Sequence, residues 1–177
     1  LWDVGGIAVD IGPGLFTGMR VGIASAQAIA QVIDVSIIPV TSLDILAAAV
    51  QTNNDVIASV VDARRGEVYW SLYRMTDGKL KQVGKPQIGS PEMCAVDVLD
   101  RGQSTLLVGT GALKHESEFD ERLKPVLPAL EFAEEKYSMP LASTLVEVAH
   151  ERALRGEWVQ VDEIVPLYLR APDAEIN

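Results

Sequence analysis

Two kinds of hydrophobic spacing alternate along the chain. Ile7–Ile11 is a short apolar run closed by Gly12-Pro13-Gly14, the pattern of a buried strand ending in a turn. Phe16–Ile33 is Ala-rich with apolar residues at helical spacing, which predicts a long helix. Ser36–Val40 predicts a second strand, and Ser42, with Thr41 and Asp44 beside it, predicts the capped start of a helix through about Gln51. Strand, helix, strand, helix with short links reads as parallel α/β, with the two strands joined right-handedly through the first helix.

Turn residues at Gln51–Asp55 mark a boundary. Beyond it, Val56–Val61 predicts an apolar strand, and Glu67–Met75 alternates and carries Val, Tyr and Trp, as a half-buried strand does. Thr76-Asp77-Gly78-Lys79 predicts a hairpin turn into a strand over Leu80–Ile88. Antiparallel pairing is expected among these three. Ser90-Pro91-Glu92 starts a helix, with Pro at its first position and an acid in its first turn. Thr105–Val108 predicts a short buried strand ending in Gly109-Thr110-Gly111, and Leu141–Arg155 a helix closed by Gly156.

Composition sharpens the picture. Hydrophobic residues make up 48% of 177, enough for a sizeable core, which excludes global disorder. Lys+Arg is 15 and Asp+Glu is 25, a net charge of −10 that makes the chain a poor direct ligand for nucleic acid. Residues 1–62 hold six acids and one base, Arg20, which is expected to meet an acid or a helix C-terminus. The single cysteine, Cys94, excludes an internal disulfide and a Cys-rich zinc site and fits a reducing, cytoplasmic setting. The apolar segment from Val21 to Ile33 is interrupted by Ser25, Gln27 and Gln31 and is too short to span a membrane. The chain opens at Leu1 almost directly into a strand, as a fragment of a longer protein would.

Several residue groups are candidates for function. The loop from Gly12 through Gly14 to Gly18 lies between a strand and a helix, where backbone N–H groups can hold an anion. It lacks the Gly-Lys-Ser/Thr ending of a P-loop, and Thr17 stands where the dinucleotide fingerprint has its third Gly. The alternative is a tight turn with Thr17 near the helix cap. Within the helix, Gly18, Gly22, Ala26 and Ala30 recur every four residues. Glycine costs about 1 kcal/mol against alanine in a helix interior. Two glycines therefore imply close approach of another backbone, either the protein's own sheet or another chain.

Arg64 and Arg65, before Gly66, can grip a phosphate or carboxylate, or form a solvated hairpin tip with a local pair to Glu67. His115 and His150 are too far apart for a zinc motif, and no Gly-x-Ser-x-Gly elbow occurs. The acidic run Glu116, Glu118, Asp120 and Glu121 reads as a solvated face, Cys94 as a buried inert thiol, and Trp70 and Tyr73 as packing residues. No catalytic or metal-binding residue is assigned.

Four blocks together carry a family resemblance. They are Ile7-Ala-Val-Asp-Ile-Gly-Pro-Gly-Leu-Phe-Thr-Gly-Met-Arg-Val-Gly, Val40-Thr-Ser-Leu-Asp, Val61-Asp-Ala-Arg-Arg-Gly-Glu-Val-Tyr-Trp and Pro166-Leu-Tyr-Leu-Arg. In this order, over residues 7–170, they resemble the TsaB (YeaZ) family. The resemblance implies an actin-like ATPase fold of two RNase H-like α/β lobes. The family begins with three strands and a helix that have no counterpart before Ile7, so the first lobe is expected to lack its N-terminal strands here. The implied lobes are 1–54 and 55–165, with a tail at 166–177.

The resemblance also implies a role. It is that of a non-catalytic cytoplasmic subunit required for threonylcarbamoyl transfer to the adenosine beside the tRNA anticodon. The implied partners are a TsaD-like catalytic subunit and a TsaE-like ATPase, which would hold the metal and ATP and, in the case of the former, most of the tRNA contact. No cofactor is assigned to this chain, and a homodimer is compatible with the pattern. The partner-facing residues would lie on the helix 16–33: Thr17, Gly18, Arg20, Val21, Gly22, Ala26 and Ala30. Gly12, Gly14, Arg64 and Arg65 form signature loops without an assigned role. Two other classes compete. One is a phosphotransferase or ATPase using Gly12–Gly18 or Gly109–Gly111; the other is a peptidase, which the family's older glycoprotease-like label suggests.

Overall fold

The computed structural model describes residues 3–170. Its elements run β1 (Ile7–Asp10), α1 (Phe16–Ile33), β2 (Ile37–Val40), α2 (Ser42–Ala48), β3 (Val56–Arg64) and β4 (Glu67–Thr76). They continue through β5 (Lys79–Gln82), β6 (Gln87–Gly89), α3 (Pro91–Leu99), β7 (Thr105–Val108), α4 (Thr110–Lys114) and α5 (Glu116–Leu123). Last come β8 (Leu130–Phe132), a 3₁₀ turn at Glu135–Tyr137 and α6 (Ala142–Leu154).

Two compact units emerge. One comprises the chain up to Ile45 together with Pro140–Tyr168; the other runs Leu46–Met139 and takes in Leu169 and Arg170. This division differs from the expected 1–54, 55–165 and 166–177. The chain leaves the first unit inside α2, and α6 returns to it. The reason is packing: Leu145, Val148, Ala149 and Ala153 of α6 lie against Ala8, Ile38, Val40 and Ile45.

In the first unit β1 and β2 pair in parallel, Ile7 opposite Ile37 through Asp10 opposite Val40. Successive strand side chains point to opposite faces. Ile7, Val9 and Ile37 meet Ile23, Ala26 and Ala30 of α1, while Ala8, Ile38 and Val40 meet α6. A sheet covered on both faces accounts for the consecutive apolar residues Ile7–Val9 and Ile37–Val40. Helix α1 has the expected bounds and ends at Asp34, whose left-handed backbone (φ 56°) lets the following N–H, of Val35, turn back to the Ala30 carbonyl at 3.0 Å.

The second unit is built on a mixed sheet in the order β5-β4-β3-β7-β8, with β6 also on β4. The expected antiparallel pairings of β3 with β4, and of β4 with the segment after it, are present. That segment is two strands rather than one. Gly84 (φ 101°) and Pro86 interrupt the ladder between them, as neither suits a strand interior. Trp70, Leu72, Cys94, Val98, Leu107 and Phe119 form the core. Helix α3 starts as expected: Ser90 accepts the Met93 N–H and Pro91 is the first helical residue. The acidic run is helical. In α5 the acids face solvent or pair with bases, while Phe119 and Leu123, one turn apart, are buried.

Gly109-Thr110-Gly111 owes its glycines to close packing. A Cβ on Gly109, which has φ 112°, would stand 2.4 Å from the Val60 carbonyl oxygen. A Cβ on Gly111 would stand 2.9 Å from Val60 Cγ1. The chain crosses β3 here at backbone distance, which explains the motif without a phosphate. Among the described residues no helix is long and apolar enough to cross a membrane.

Candidate functional site

Asp10, at the end of β1, organises the loop that follows. Its Oδ1 accepts the Gly12 N–H at 2.8 Å, and Ser42 Oγ stands 2.8 Å from both carboxylate oxygens. The Ser42 N–H donates to the Gly12 carbonyl at 2.8 Å, and Leu167 N–H to the Ile11 carbonyl at 2.8 Å. Ser42 is therefore not the cap of α2. Thr41 is: its hydroxyl accepts the Asp44 N–H while Asp44 accepts the Thr41 N–H, a capping box that leaves the Ser42 hydroxyl for Asp10. Asp44 also pairs with Arg152 at 2.8 Å, and Arg152 bonds the Pro39 carbonyl at 2.8 Å. The loop is thus tied down by residues from β1, α2 and the 166–168 segment.

This chemistry is the opposite of a phosphate cradle. The Gly12 N–H is spent on the protein's own carboxylate, and that carboxylate would repel an incoming anion. Gly14 is exposed, with open space where a Cβ would stand.

Burial pushes the Asp10 carboxyl above its ordinary pKa, against the pull of the Gly12 and Ser42 hydrogen bonds and with a further push from Asp44. A raised value means that the folded state holds the proton more tightly than the unfolded state. Stability is then lost as pH rises from about 4 through the raised value. Asp10→Asn keeps an acceptor for Gly12 and Ser42 and removes that loss. Its melting temperature at neutral pH is expected to equal or exceed the wild type's, with a flatter pH dependence above about pH 4. A drop of several degrees at neutral pH would show the charge to be stabilising there.

Helix α1 presents two distinct faces. Ile23, Ala26 and Ala30, with Met19 beside them, pack on the sheet, so Ala26 and Ala30 are not available to a partner as expected; Ala30 is 0% exposed. The reason lies in the helical period. A repeat of four advances about 40° per step on a 3.6-residue turn, so the stripe that starts at Gly18 rotates into the core by Ala30. The opposite face carries Gly18, Val21, Gly22, Ser25, Ile29 and Val32, all exposed, with Val21 at 60% and Val32 at 84%. A Cβ on Gly18 or Gly22 would meet nothing within 4 Å. Thr17 is exposed and does not cap the helix; Leu15 occupies the cap position with no side-chain bond. Among the described residues, Arg20 meets neither an acid nor a helix end. Its Nε donates to the Tyr168 hydroxyl at 2.7 Å and its guanidinium lies 4.0 Å from the Phe16 ring centre.

The β3–β4 turn is the other feature singled out by sequence. Arg64, Arg65 and Gly66 have φ of 64°, 54° and 78°, and the register shifts between Asp62 and Arg64. This is a two-residue hairpin turn next to a β-bulge. Left-handed backbone costs roughly 1–2 kcal/mol at each non-glycine residue. Asp62 accepts the Arg64 N–H at 3.0 Å and Lys114 Nζ at 3.0 Å, and its own N–H reaches Thr110 at 3.1 Å. Partial burial pushes its pKa up, and Lys114 and the Arg64 N–H more than reverse that, leaving it lowered. Glu67 pairs with Arg170, more than 100 positions away.

The remaining candidates are structural. Cys94 is buried in the core, where burial pushes its thiol pKa well up. His115 lies 3.5 Å from Glu118. Trp70 and Tyr73 are buried. Among the described residues no group of three or more His, Cys, Asp or Glu is placed to hold a metal.

A family model described as TsaD, tRNA N6-adenosine threonylcarbamoyltransferase, matches residues 1–177. The chain is 31% identical over 174 residues to the tRNA threonylcarbamoyladenosine biosynthesis protein TsaB of Bacillus subtilis, covering 98% of this chain and 72% of that protein. A solved structure of YeaZ from Pseudomonas aeruginosa is 30% identical, with a TM-score of 0.76 over 94% of this chain and 76% of the other. The chain belongs to the TsaB (YeaZ) family, among the TsaD-like domains. Its α/β units fit the actin-like, glycoprotease-like fold. A second Pseudomonas aeruginosa structure, of an uncharacterized protein with similarity to peptidase YeaZ, gives a TM-score of 0.79 at 30% identity, over 96% of this chain and 75% of the other. An uncharacterized Mycobacterium leprae protein is 34% identical over 174 residues, and this chain spans 40% of its length.

Three of the four blocks that resemble the TsaB family meet in the first unit. Residues 7–22, 40–44 and 166–168 are joined by the Ile11–Leu167, Asp10–Ser42 and Arg20–Tyr168 bonds. The fourth, around Arg64 and Arg65, lies in the second unit. Sequence reading missed Arg152 and Tyr168 as site-forming residues. They stand more than 100 positions from their partners; Tyr168 falls in the last of the four blocks without a role, and nothing local marks Arg152.

Proposed function

We propose that this chain serves tRNA threonylcarbamoyladenosine biosynthesis as a non-catalytic subunit. It pairs with a TsaD-like transferase through the outer face of α1. Family membership supports the pathway. The observation that supports the mode of action is that face: Val21, Ile29 and Val32 exposed in a row, with open space above Gly18 and Gly22. An apolar strip beside bare glycines suits a helix-to-helix contact better than water. In this reading the transferase and a TsaE-like ATPase supply the metal and nucleotide chemistry, and the work is cytoplasmic.

Hydrolysis by this chain has weaker support, since the Cys94 thiol is buried and the Ser42 hydroxyl is committed to Asp10. A calorimetric titration of a TsaD-like subunit into the full-length protein is expected to give saturable one-to-one binding. Absence of heat and of co-elution would reject the subunit role, and self-association through the same face would replace it with a homodimer.

A further inference from the structure

We propose that the basic edge of the second unit's sheet, with Lys79, Lys81 and Lys85 exposed along it, is a contact site for the phosphodiester backbone of RNA. The choice of RNA rests on the assignment to tRNA modification. The chain holds 25 acids to 15 bases, yet residues 74–91 carry Arg74 and these three lysines against one acid, Asp77. The lysines of the chain fall into two groups. Lys114, Lys124 and Lys136 are ion-paired, with Asp62, Asp120 and Glu134. Lys79, Lys81 and Lys85 meet no acid among the described residues. Topology gathers them. Strand β5 ends the strand order and pairs with β4, Arg74 directly opposite Lys81 and Thr76 opposite Lys79. Directly opposite residues share a face of the sheet, as do residues two apart, so Arg74, Lys79 and Lys81 form one cationic row. The Arg74 guanidinium bonds the Gln103 side chain, which brings no charge to the row. Lys85 follows the strand, next to Gly84, where a Cβ would stand 3.8 Å from Arg101 Nη2. Asp97 of α3 is taken up by Arg101 at 3.6 Å and by Trp70 Nε1 at 2.9 Å.

Edge protection explains only part of this pattern. Charged side chains on an edge strand keep other chains from pairing with it, and lysine serves that purpose. Glutamate serves it too. An acid at position 81 would also pair with Arg74, whereas like charges directly opposite each other are destabilising. Nor does edge protection reach Lys85, which lies outside β5. A polyanion accounts for all four cations at once. Lysine ammonium groups meet phosphates as point charges on flexible stems. Residues 74–91 include no Phe, Tyr or Trp, so the patch has no platform on which to stack a base. Contacts of this kind position an RNA without reading its sequence.

The test is an anisotropy titration of labelled, unmodified tRNA with the full-length protein at low salt. It compares the wild type with the triple variant Lys79→Gln, Lys81→Gln, Lys85→Gln. All three side chains are exposed, so the variant is expected to melt as the wild type does. Its affinity is expected to fall about tenfold or more, and its salt slope to shrink by about 2.1–2.7, at roughly 0.7–0.9 per lost phosphate contact. The double variant Lys124→Gln, Lys136→Gln, which removes lysines from ion pairs, should leave the slope unchanged. The variant Lys79→Glu, Lys81→Glu, Lys85→Glu keeps the edge charged; it is expected to remain monodisperse and to lose binding altogether. Absence of binding by the wild type, equal binding by the triple Gln variant, or an equal loss in the Lys124, Lys136 variant overturns the proposal. Aggregation of the triple Gln variant with undiminished binding by the Glu variant overturns it in favour of edge protection. Displacement of tRNA by polyglutamate as readily as by unlabelled tRNA overturns it in favour of an acidic protein partner. Pairing with the TsaD-like subunit is measured on the same preparations. If pairing survives while RNA binding fails, the RNA contact alone is rejected; if pairing fails in the wild type, the functional reading itself falls.

Discussion

Gly22→Leu is expected to abolish pairing with a TsaD-like subunit while leaving the chain as stable as before, or slightly more so. The two effects separate because Gly22 is helical, exposed and free of neighbours: a Cβ there meets nothing within 4 Å. Leucine favours helix over glycine by somewhat under 1 kcal/mol, so the melting temperature has no reason to fall. Against a close-packed partner helix the same side chain props the interface apart. Overpacking costs roughly 1–3 kcal/mol, about five- to 150-fold in affinity. The competing account, in which the small residues serve the chain's own sheet, holds for Ala26 and Ala30, which are buried. Applied to Gly22 it predicts a lower melting temperature and unchanged affinity. Thermal melts and titrations on one preparation decide between them.

Gly109→Ala is expected to do the reverse. A methyl group there would stand 2.4 Å from the Val60 carbonyl oxygen, and the residue's φ of 112° is one that alanine resists. The obstacle is main chain in the middle of the sheet, so neither a rotamer change nor a small shift relieves it. A loss of roughly 3 kcal/mol or more is expected in the second unit, at the upper end of single-substitution effects. Urea unfolding followed by tryptophan fluorescence, with Trp2 and Trp158 replaced by Phe so that Trp70 alone reports, reads that unit. A variant as stable as the wild type would show that the Gly109–Val60 approach does not constrain the fold.

Much of this architecture was legible in sequence because the signals are local. The bounds of α1, the Ser90 cap, the β7 strand and the parallel β1–β2 pair follow from apolar spacing and start signals within a few residues. What depends on distant partners was not. Helix α6 reads the same whichever unit it joins. Arg20 was expected to find an acid and found a phenol 148 positions away. The α1 stripe was read at a period of four, and the true turn of 3.6 residues splits it between core and solvent. At Thr41–Asp44 the start signal was right but the cap was one residue early, because the Ser42 hydroxyl serves Asp10 across the sheet. In the sequence the arginine turn shows only as a charge pair; its three consecutive positive φ angles belong to the backbone.

The central claim is that the outer face of α1 makes this protein a required partner in threonylcarbamoyl transfer. The most direct measurement is mass-spectrometric quantification of threonylcarbamoyladenosine in tRNA from a reconstituted reaction. It would contain TsaD-like and TsaE-like subunits, the threonylcarbamoyl donor, and the full-length protein as wild type or Gly22→Leu. The account predicts modified tRNA with the wild type and loss of it with the variant, although both proteins are equally folded. Undiminished modification with Gly22→Leu, or without this protein at all, would contradict it.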